Sequence, residues 1–220
     1  MKTIDGLPVP EAILHMAIAT FVELGYAKAS MDEVAARAST TKRTVYAYFG
    51  SKDDLFRAAL VKAVHLFHGE LPQLEDVAHP ARQLEDFALA FGNLCTWRGA
   101  VRLQQVVMGE MDRFSDLGTM LHRDIIEWAE GMVADYLRAL DRERQIPADT
   151  RPPNWHAEIS SLFLNMATGY QRFATLLQAR QPAPNHPLVE APSDLDRDRI
   201  RLAVEIVLRG TGLAMPAGRG

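Results

Sequence analysis

The 220-residue sequence contains a single cysteine, Cys95, so no intramolecular disulfide bond can form. One unpaired thiol is typical of a protein that works in a reducing compartment. No stretch of 18 apolar residues occurs, which is about the length that a membrane-spanning helix needs. Residues 1–10 also lack the long apolar run of a signal peptide. We therefore expect a cytoplasmic protein that does not span a membrane.

Signals for strands and for known catalytic motifs are equally scarce. Alternating runs of Val, Ile and Thr bounded by turn residues are missing, and so are G-x-S-x-G, H-E-x-x-H, P-loop and Rossmann glycine patterns. His65 and His68 are three residues apart and could form half of a metal site, but no Cys, His or Asp cluster completes it. We predict no catalytic residue, no metal, no cofactor and no enzymatic activity. Cys95 lies in an apolar segment and is either inert or a redox sensor.

The charge distribution is uneven, although the net charge of −4 is unfavourable for contact with DNA phosphates. From Gly69 to the end there are 16 Arg, no Lys and 21 Asp or Glu, a net of 16 − 21 = −5. Ser39 to Lys52, in contrast, contains three basic residues and no acidic one. This basic island is what a small DNA-binding surface would show, although a window this short can also lack acids by chance.

Helical periodicity runs through the whole chain and predicts an all-α fold. A first helix from about Pro10 to Leu24 should end at Gly25, and Ser30 with Glu33 has the spacing of a capping box. Thr41 can cap a third helix that ends before Gly50. Further helices are predicted at about 52–68, 80–97, 100–112, 116–144, 154–179 and 194–210, with a loop of four prolines at 181–193.

Residues 30–49 contain two short helices with a tight turn, which is the geometry of a helix-turn-helix. In that motif the second helix enters the major groove of DNA. Val45 and Phe49 are four residues apart and can pack inward. The remaining polar, cationic and aromatic side chains are then available to the outside: Thr41, Lys42, Arg43, Thr44, Tyr46 and Tyr48.

The same stretch resembles the signature of the TetR family of transcriptional regulators. The matching elements are Ser30 followed by Val34-Ala35, then Thr44-Val45-Tyr46-Ala47-Tyr48-Phe49, then Lys52-Asp53-Asp54-Leu55, with Phe21 and Gly25-Tyr26 upstream. The resemblance implies that Thr44, Tyr46 and Tyr48 contact the groove and phosphates and that Lys52 clamps a phosphate at a helix start. Ser30 and Thr41 either contact phosphate or only cap their helices.

Three positions depart from the family pattern. Ser39 stands where the family usually has Gly, and a left-handed conformation there costs a non-glycine residue roughly 1 kcal/mol, so we expect an altered turn. Thr40 replaces an apolar residue, and Arg43 replaces a small one. Arginine is the commonest reader of guanine, so Arg43 is a candidate specificity residue, with a plain phosphate contact as the alternative.

The resemblance also implies two domains, a DNA-binding helix-turn-helix domain at 1–52 and a larger helical ligand-binding and dimerisation domain at 53–220. The segment Gly109–Leu117 resembles a helix junction common in these regulators. The family's last two long helices pair with a second copy, and this implies a homodimer on a palindromic operator of double-stranded DNA. Candidate stripes, which would equally suit a core, are Ile159, Leu162, Phe163, Met166, Tyr170 and Phe173, and Leu195, Ile200, Ala203, Val204, Val207 and Leu208.

A ligand pocket is expected among the middle helices, because methionine and aromatic side chains suit an adaptable apolar site. They suit a plain core equally well. The candidates are Phe91, Cys95, Trp97, Gln104, Met108, Trp128, Met132, Met166 and Tyr170, with Gln104, His122 or Arg172 able to orient a polar group. The composition favours an apolar or aromatic ligand with few charges.

We therefore predict a repressor that is released from DNA when such a small molecule binds. The ligand would favour an arrangement of the two DNA-binding domains of the dimer that does not fit DNA. Two alternatives remain open. An activator would use the same DNA-binding chemistry, and a helical adaptor would bind a protein without DNA. An adaptor has no need of Tyr46, Tyr48 and Lys52 exposed on a basic island.

Overall fold

A computed structural model of the chain describes residues 6–188 and 195–213. Helices account for all the regular structure in these ranges, apart from one isolated bridge between Trp97 and Ala183. The predicted all-α fold is therefore confirmed. The described residues form two compact units, unit 1 with 6–70 and 102–121, and unit 2 with 71–101, 122–188 and 195–213. The predicted division of function between 1–52 and 53–220 stays a prediction.

The helices lie close to their predicted positions. Two π-helical turns, His122–Glu127 and Asn165–Gly169, continue directly into the helices that follow them. A short 3₁₀ turn spans Ala148–Thr150. The α-helices are α1 Val9–Lys28, α2 Met31–Arg37, α3 Lys42–Phe49, α4 Lys52–Glu70, α5 Pro80–Thr96, α6 Arg98–Gly109, α7 Ser115–Leu121, α8 Trp128–Glu143, α9 Trp155–Leu164, α10 Tyr170–Leu176 and α11 Arg197–Gly210.

Helix α1 is broken where the sequence predicts its end. Gly25 has a φ of 73°, a conformation that costs glycine nothing and costs other residues free energy. A last short turn then carries the chain through Tyr26 to Lys28 before α2 begins. The predicted end of the last helix is confirmed at Gly210, but the helix begins at Arg197, with Asp196 as its cap, a little after the predicted start near 194. Residues 189–194, which include part of the proline-rich loop, lie outside the described residues.

Unit 1 is organised around an aromatic cluster that joins α1 and α4 to the α6–α7 junction. Phe56 of α4 lies 4.8 Å from Phe21 and 5.1 Å from Tyr26, measured between ring centroids. Phe114, between α6 and α7, lies 5.2 Å from Tyr26 and 5.6 Å from Phe56. Ring pairs at these separations add about 0.5–1.5 kcal/mol each beyond the area they bury. The cluster therefore ties α1, α4 and the α6–α7 junction into one body.

Unit 2 has its own core, in which α5 packs on α11, on α10 and on the π-helical turn before α10. Gly92 allows this close approach. A Cβ atom at Gly92 would lie 2.9 Å from a methyl carbon of Leu195 and 3.3 Å from one of Thr168. The largest fully buried side chains of unit 2 are Leu84, Phe87, Phe91, Tyr136, Leu137 and Phe163.

The two candidate dimer stripes differ in how far they are buried within the chain. Every member of the α11 stripe is buried within the chain: Leu195, Ile200, Ala203, Val204, Val207 and Leu208. That stripe is core, because its side chains face α5 and α9 of the same protomer. The exposed apolar residues of α11 are instead Leu202 and Ile206, on the other side of the helix. In the α9–α10 stripe Phe163 is buried, whereas Leu162, Tyr170 and Phe173 are more than half exposed.

No helix in the described ranges combines the length and the apolar character needed to cross a membrane. Among the same residues, no group of three or more His, Cys, Asp or Glu side chains could hold a metal ion.

Candidate nucleic-acid interface

The turn between α2 and α3 keeps a left-handed residue without glycine. Ser39 has a φ of 53°. Its N–H donates to the carbonyl of Ala36 at 3.2 Å, and the N–H of Thr40 donates to Ala35 at 2.9 Å. These two bonds are the Schellman pattern that ends helices at a left-handed residue. The expectation of an altered turn is therefore wrong: the turn is regular, and Ser39 bears the conformational cost that Gly would avoid.

Side-chain caps start both helices of the motif. The Ser30 hydroxyl accepts from the N–H of Glu33 at 3.1 Å, and the Thr41 hydroxyl accepts from the N–H of Thr44 at 3.1 Å. The capping box is only half formed, because the Glu33 carboxylate accepts instead from Arg37 at 2.7 Å. Ser30 and Thr41 cap their helices and are also exposed. Each hydroxyl can therefore act as a cap and still be reached by a phosphate.

Helix α3 turns one side to the core and the other outward. Val45 is fully buried and Phe49 is half-buried. With about 100° of rotation per residue, Arg43 lies roughly 160° around the helix from Val45. Arg43 is exposed and forms no ion pair within the described residues. It therefore occupies the middle of the outward side, next to the small side chain of Ala47.

Two pairs of side chains flank Arg43. Tyr46 and Tyr48 expose 44% and 53% of their surface, which confirms that neither ring is used in the core. Lys42, on the same flank as Tyr46, pairs with Asp32 of α2 at 2.7 Å, and both side chains are exposed. Thr44 lies on the flank of Tyr48, and its hydroxyl is 2.9 Å from that of Thr41. The outward side thus presents hydroxyls, cations and rings around one central guanidinium.

Lys52 sits at the N-terminus of α4 and points back to the end of α1. Its Nζ lies 4.3 Å from the centroid of the Tyr26 ring and donates to the carbonyl of Ala27 at 3.2 Å. Partial burial, with Arg113 nearby, lowers the pKa of the Lys52 ammonium from its ordinary value. The Ser51 hydroxyl accepts from the N–H of Asp54 at 3.1 Å and caps the helix. The ammonium is therefore held in place beside a helix start.

An open cleft of about 340 Å³ surrounds Lys52, lined by Tyr26, Ala27, Lys52, Asp53, Glu110 and Arg113. Arg113 donates from one nitrogen to both carboxylate oxygens of Asp53, at 2.9 Å each. The Tyr26 hydroxyl also donates to Asp53. The hydrogen bond to Asp53 and burial together raise the pKa of Tyr26, with burial the larger cause, to about 12. The ring hydroxyl is therefore a proton donor at neutral pH.

Neither Asp53 nor Arg113 is predicted from the sequence to belong to this site. The available signals were Tyr26 in the family match and Arg113 in the predicted junction 109–117. Nothing in their spacing placed them together, because 60 residues separate Asp53 from Arg113. Only the packing of the α6–α7 junction beside α4 in unit 1 brings them into contact.

The candidate ligand-binding residues do not share one environment. Phe91 is fully buried, Met108 and Tyr170 are exposed, and the other candidates are half-buried except the buried Cys95. Gln104 and Met108 belong to unit 1, and the rest belong to unit 2. In unit 2 a small cavity lies elsewhere, lined by Asn93, Thr96, Gln171, Thr175, Arg180, Gln181, Ala183 and Leu195. The assignment of these residues to an effector pocket stays a prediction.

Two sequence families match the chain. Residues 13–59 match the family described as bacterial regulatory proteins, tetR family. Residues 82–152 match the family described as AefR-like transcriptional repressor, C-terminal domain. The first match covers α2, α3 and most of α1, together with the start of α4, and the second runs from α5 to the segment after α8. Together they span both the DNA-binding motif and much of the helical remainder.

Similar proteins are regulators too. The HTH-type transcriptional regulator HbdR of Aromatoleum sp. is 32% identical over 73 residues, 33% of this chain and 32% of HbdR. The HTH-type transcriptional repressor SCO4008 of Streptomyces coelicolor is 42% identical over 57 residues, 24% of this chain and 30% of that protein. Each match thus spans about a third of the relative's own length.

Solved structures extend the likeness in fold to almost the whole chain. The flavonoid-responsive regulator FrrA superposes with a TM-score of 0.70 at 22% identity, covering 92% of this chain and 96% of FrrA. A TetR-family regulator from Mesorhizobium loti gives a TM-score of 0.68 at 16% identity, with the same coverage. With the family matches over 13–59 and 82–152 and the motif geometry of α2 and α3, the chain belongs to the TetR family of DNA-binding transcriptional regulators.

Proposed function

We propose that the chain is a homodimeric repressor that binds a palindromic operator and leaves it when a small apolar or aromatic ligand binds. The DNA-binding part of this proposal is supported by the outward side of α3, where Arg43 lies between two polar flanks. The word repressor in the names of the second matching family and of SCO4008 supports repression as the mode.

Arg43 is the proposed reader of a base. The major groove is about 12 Å wide and admits one helix, so the residue opposite the buried side of that helix reaches deepest. Arg43 has that position and no competing ion pair within the described residues. A guanidinium can donate to O6 and N7 of guanine together, which is worth about 1–3 kcal/mol of discrimination.

The side chains on the two flanks of α3 are proposed to bind the sugar-phosphate backbone of the DNA. Thr44 and Tyr48 on one flank, and Lys42 and Tyr46 on the other, offer hydroxyl and ammonium donors to phosphates on the two sides of the groove. Lys42 would exchange its exposed partner Asp32 for a phosphate, which costs little because exposed ion pairs are weak. Ser30 and Thr41 add hydroxyls at the two helix starts.

Lys52 is the proposed phosphate clamp at the start of α4. Free N–H groups at a helix N-terminus favour an anion, and the Lys52 ammonium adds a full charge beside them. Its contacts with Tyr26 and Ala27 restrict the side chain before DNA arrives. A restrained donor loses less conformational entropy on binding than a free lysine would.

A second copy of the chain is the proposed partner of the exposed apolar side of α9, α10 and α11. Leu162, Tyr170, Phe173 and Leu177 each expose more than half of their surface, and Leu202 and Ile206 expose about half on α11. Large apolar side chains exposed in such number on neighbouring helices are typical of a surface that another protein covers. A two-fold pairing places two recognition helices about 34–36 Å apart, and this predicts a palindromic operator.

Release of DNA is proposed to pass through the α6–α7 junction. Residues 102–121 of unit 1 are joined along the chain to unit 2 at both ends, at 101 and at 122. A ligand bound by unit 2 would therefore act on α6 and α7 through the continuous backbone. Within unit 1, Phe114 and Arg113 contact Phe56, Tyr26 and Asp53 beside Lys52. A ligand that favours another position of the junction would thereby move the phosphate clamp.

The test is selection of genomic fragments by the purified full-length protein at about 100 mM salt, where phosphate contacts still hold. We expect a palindromic site and its loss in the variants Tyr46→Ala and Lys52→Ala, with unchanged circular dichroism. Val61→Ala, at an exposed residue of α4 away from the motif, is the matched control. A folded dimer that enriches no sequence would refute the proposal.

Arg43→Ala separates base reading from phosphate contact. If Arg43 reads guanine, the enriched site loses one base preference in each half and affinity for the original operator falls about 5- to 150-fold. Lys42→Ala should weaken all sequences alike and flatten the dependence on salt. A reporter gene behind the enriched site then decides the direction of control, since deletion of the regulator raises expression only if it represses.

A further inference from the structure

Arg172 of α10 is a cation whose nitrogens are only partly bonded. Its guanidinium lies over the ring of the fully buried Phe91 of α5, with 4.9 Å between the guanidinium carbon and the ring centroid. Nε and Nη1 are both inaccessible to water and have no hydrogen-bond partner. A guanidinium in water would satisfy all five of its N–H groups, so each missing bond carries a desolvation cost.

No anion in the described residues compensates this charge. No carboxylate of 6–188 or 195–213 forms an ion pair with Arg172. The neighbouring Cys95 interacts with Arg172, but burial raises the pKa of its thiol to about 11 although Arg172 acts to lower it. The thiol is therefore neutral at physiological pH. Arg172 as a whole is only partly buried, but its Nε and Nη1 are closed off from water, and folded proteins usually pair such polar atoms or leave them exposed.

The facing helix contributes a second unsatisfied group. Asn93 of α5 has a buried side-chain oxygen with no hydrogen-bond partner. It lines the small cavity between α5, α10 and the segment 180–183, a cavity of about 10 Å³ with room for about one water molecule. The contact between α5 and α10 therefore contains both donors and an acceptor that the chain itself leaves unbonded. Such groups concentrate where a protein binds a ligand.

We propose that Arg172 binds the acidic group of the effector, so that the ligand is an organic acid with an apolar or aromatic body. This inference rests on the proposed ligand-controlled release of DNA. The guanidinium donates from its two unbonded nitrogens to carboxylate oxygens, and Phe91 beneath it keeps water away from the ion pair. Asn93 accepts from a hydroxyl or amide of the ligand or from a bound water.

Entry of such a ligand requires α5 and α10 to separate, because the unbonded atoms are closed off in the structure. The loop after α10 is attached to α5 mainly near Trp97, where the N–H of Arg98 donates to Ala183 at 2.7 Å and His186 lies 4.7 Å from the Trp97 ring. Opening this attachment exposes the end of the α5–α10 contact, which Leu195 also lines. Binding free energy from the new ion pair favours the open arrangement.

The test compares acids with their uncharged amides on the full-length protein. The probes are benzoate, phenylacetate and octanoate at millimolar concentration, each beside benzamide, phenylacetamide or octanamide, with the melting temperature and calorimetric affinity as readouts. We expect at least one acid to stabilise the protein and its amide to bind at least tenfold more weakly. Arg172→Gln should weaken that acid about 10- to 100-fold and leave the amide unchanged.

Two further variants guard against a purely structural role for Arg172. Arg172→Met should melt at a higher temperature than the parent without ligand, because it removes two buried nitrogens that have no hydrogen-bond partner while keeping an apolar stem. Arg138→Gln, which breaks an exposed pair with Asp135, is the matched control and should change neither the melting temperature nor acid binding.

Three outcomes overturn the inference: no acid stabilises the parent protein, amides bind as well as their acids, or Arg172→Gln binds the acid as tightly as the parent. A lower melting temperature for Arg172→Met also counts against it, since it shows that the cation supports the fold. Failure of this inference can be distinguished from failure of the repressor proposal. If the protein enriches an operator and an amide releases it, only the acidic ligand is refuted, whereas absence of operator binding refutes the regulator whatever Arg172 binds.

Discussion

The guanidinium of Arg113 donates to both oxygens of the Asp53 carboxylate at 2.9 Å, which joins the α6–α7 junction to the first turn of α4. Hydrogen bonds from Tyr26 and from Arg113 hold the pKa of Asp53 below its ordinary value, so the carboxylate stays ionised. Asp53 is the immediate neighbour of Lys52. The same ion pair therefore connects the proposed route of the effector signal to the proposed phosphate clamp.

Removing Arg113 should expose this negative charge to DNA. Arg113→Gln leaves Asp53 ionised without its cation, and affinity for the operator should fall roughly three- to tenfold at low salt. Asp53→Asn removes the charge and should not lower affinity. Fluorescence anisotropy with a labelled operator at several salt concentrations measures both. Stability should change little, because the side chains of Arg113 and Asp53 are 55% and 38% exposed and solvent-accessible pairs of this kind are weak.

Arg138→Gln again serves as control, since it breaks an exposed pair within α8 of unit 2. Equal losses of affinity in Arg113→Gln and Asp53→Asn would mean that the two residues act on DNA through the position of α4 and not through charge.

Ser39→Gly should stabilise the protein. Ser39 has a φ of 53°, and relief of its left-handed strain is worth about 1 kcal/mol. The neighbouring Ala38→Gly is the control, because Ala38 has a φ of −82° and should only lose stability through added backbone entropy in the unfolded chain. Chemical denaturation reports both values. A gain for Ala38→Gly equal to that for Ser39→Gly would contradict a strain at Ser39.

Asp141 should make the stability of the protein depend on acidity. Its carboxylate is 6% exposed and accepts from Arg151 at 2.8 and 3.1 Å and from His156 at 2.9 Å. Burial raises the pKa of Asp141, but the hydrogen bonds from Arg151 and His156 outweigh burial, and the net pKa is lowered. The folded state thus binds this proton less readily than the unfolded chain, whose Asp titrates near about 3.9.

The direction in which the free energy of unfolding changes with pH follows from proton linkage. The contribution of Asp141 to the free energy of unfolding is complete above about pH 5 and is lost as the pH falls below about 4, through the lowered pKa of the folded state. Asp141→Asn should lose roughly 3 kcal/mol or more at neutral pH, because Arg151 is left buried without its anion. Its stability should then fall less steeply in acid than that of the parent. Asp135→Asn, in an exposed pair, should keep the parental acid profile.

Charge placed on the exposed apolar side of unit 2 should dissociate the dimer. Leu162→Glu and Phe173→Glu put a carboxylate where two copies are proposed to meet, and burial of that charge is unfavourable. We expect monomers by light scattering with unchanged helicity, and loss of operator binding at nanomolar concentration because a single head binds weakly. Val61→Glu on α4 should remain dimeric, although Val61 is equally exposed. Dimers that persist in both variants would place the interface elsewhere.

Local patterns were sufficient for most of the helix boundaries and for the recognition motif. Proline at a helix start, glycine at a helix end and the hydroxyl caps Ser30 and Thr41 act within four residues of themselves, so their consequences can be seen in the sequence. The inward position of Val45 and the exposure of Tyr46 and Tyr48 follow from helical periodicity for the same reason.

Sequence patterns were insufficient where a residue had two competing partners. Glu33 has the correct spacing for a capping box, but Arg37 competes for its carboxylate and forms the ion pair. The α11 stripe has the periodicity of a dimer face, but periodicity only shows that one side is apolar. It does not distinguish the core of the same chain from the surface of a second copy, and the packing of α5 against α11 selected the core.

Sequence alone was enough to establish an all-helical chain with a helix-turn-helix near residue 45, because short-range hydrogen bonds and hydrophobic periodicity depend on neighbours along the chain. Only the tertiary structure could show that Arg113 pairs with Asp53, that Leu202 and Ile206 and not the buried stripe face outward, and that two buried nitrogens of Arg172, which lies over Phe91, have no hydrogen-bond partner among the described residues. Each of these depends on how distant segments pack, and packing is decided by the shape and volume of many side chains at once.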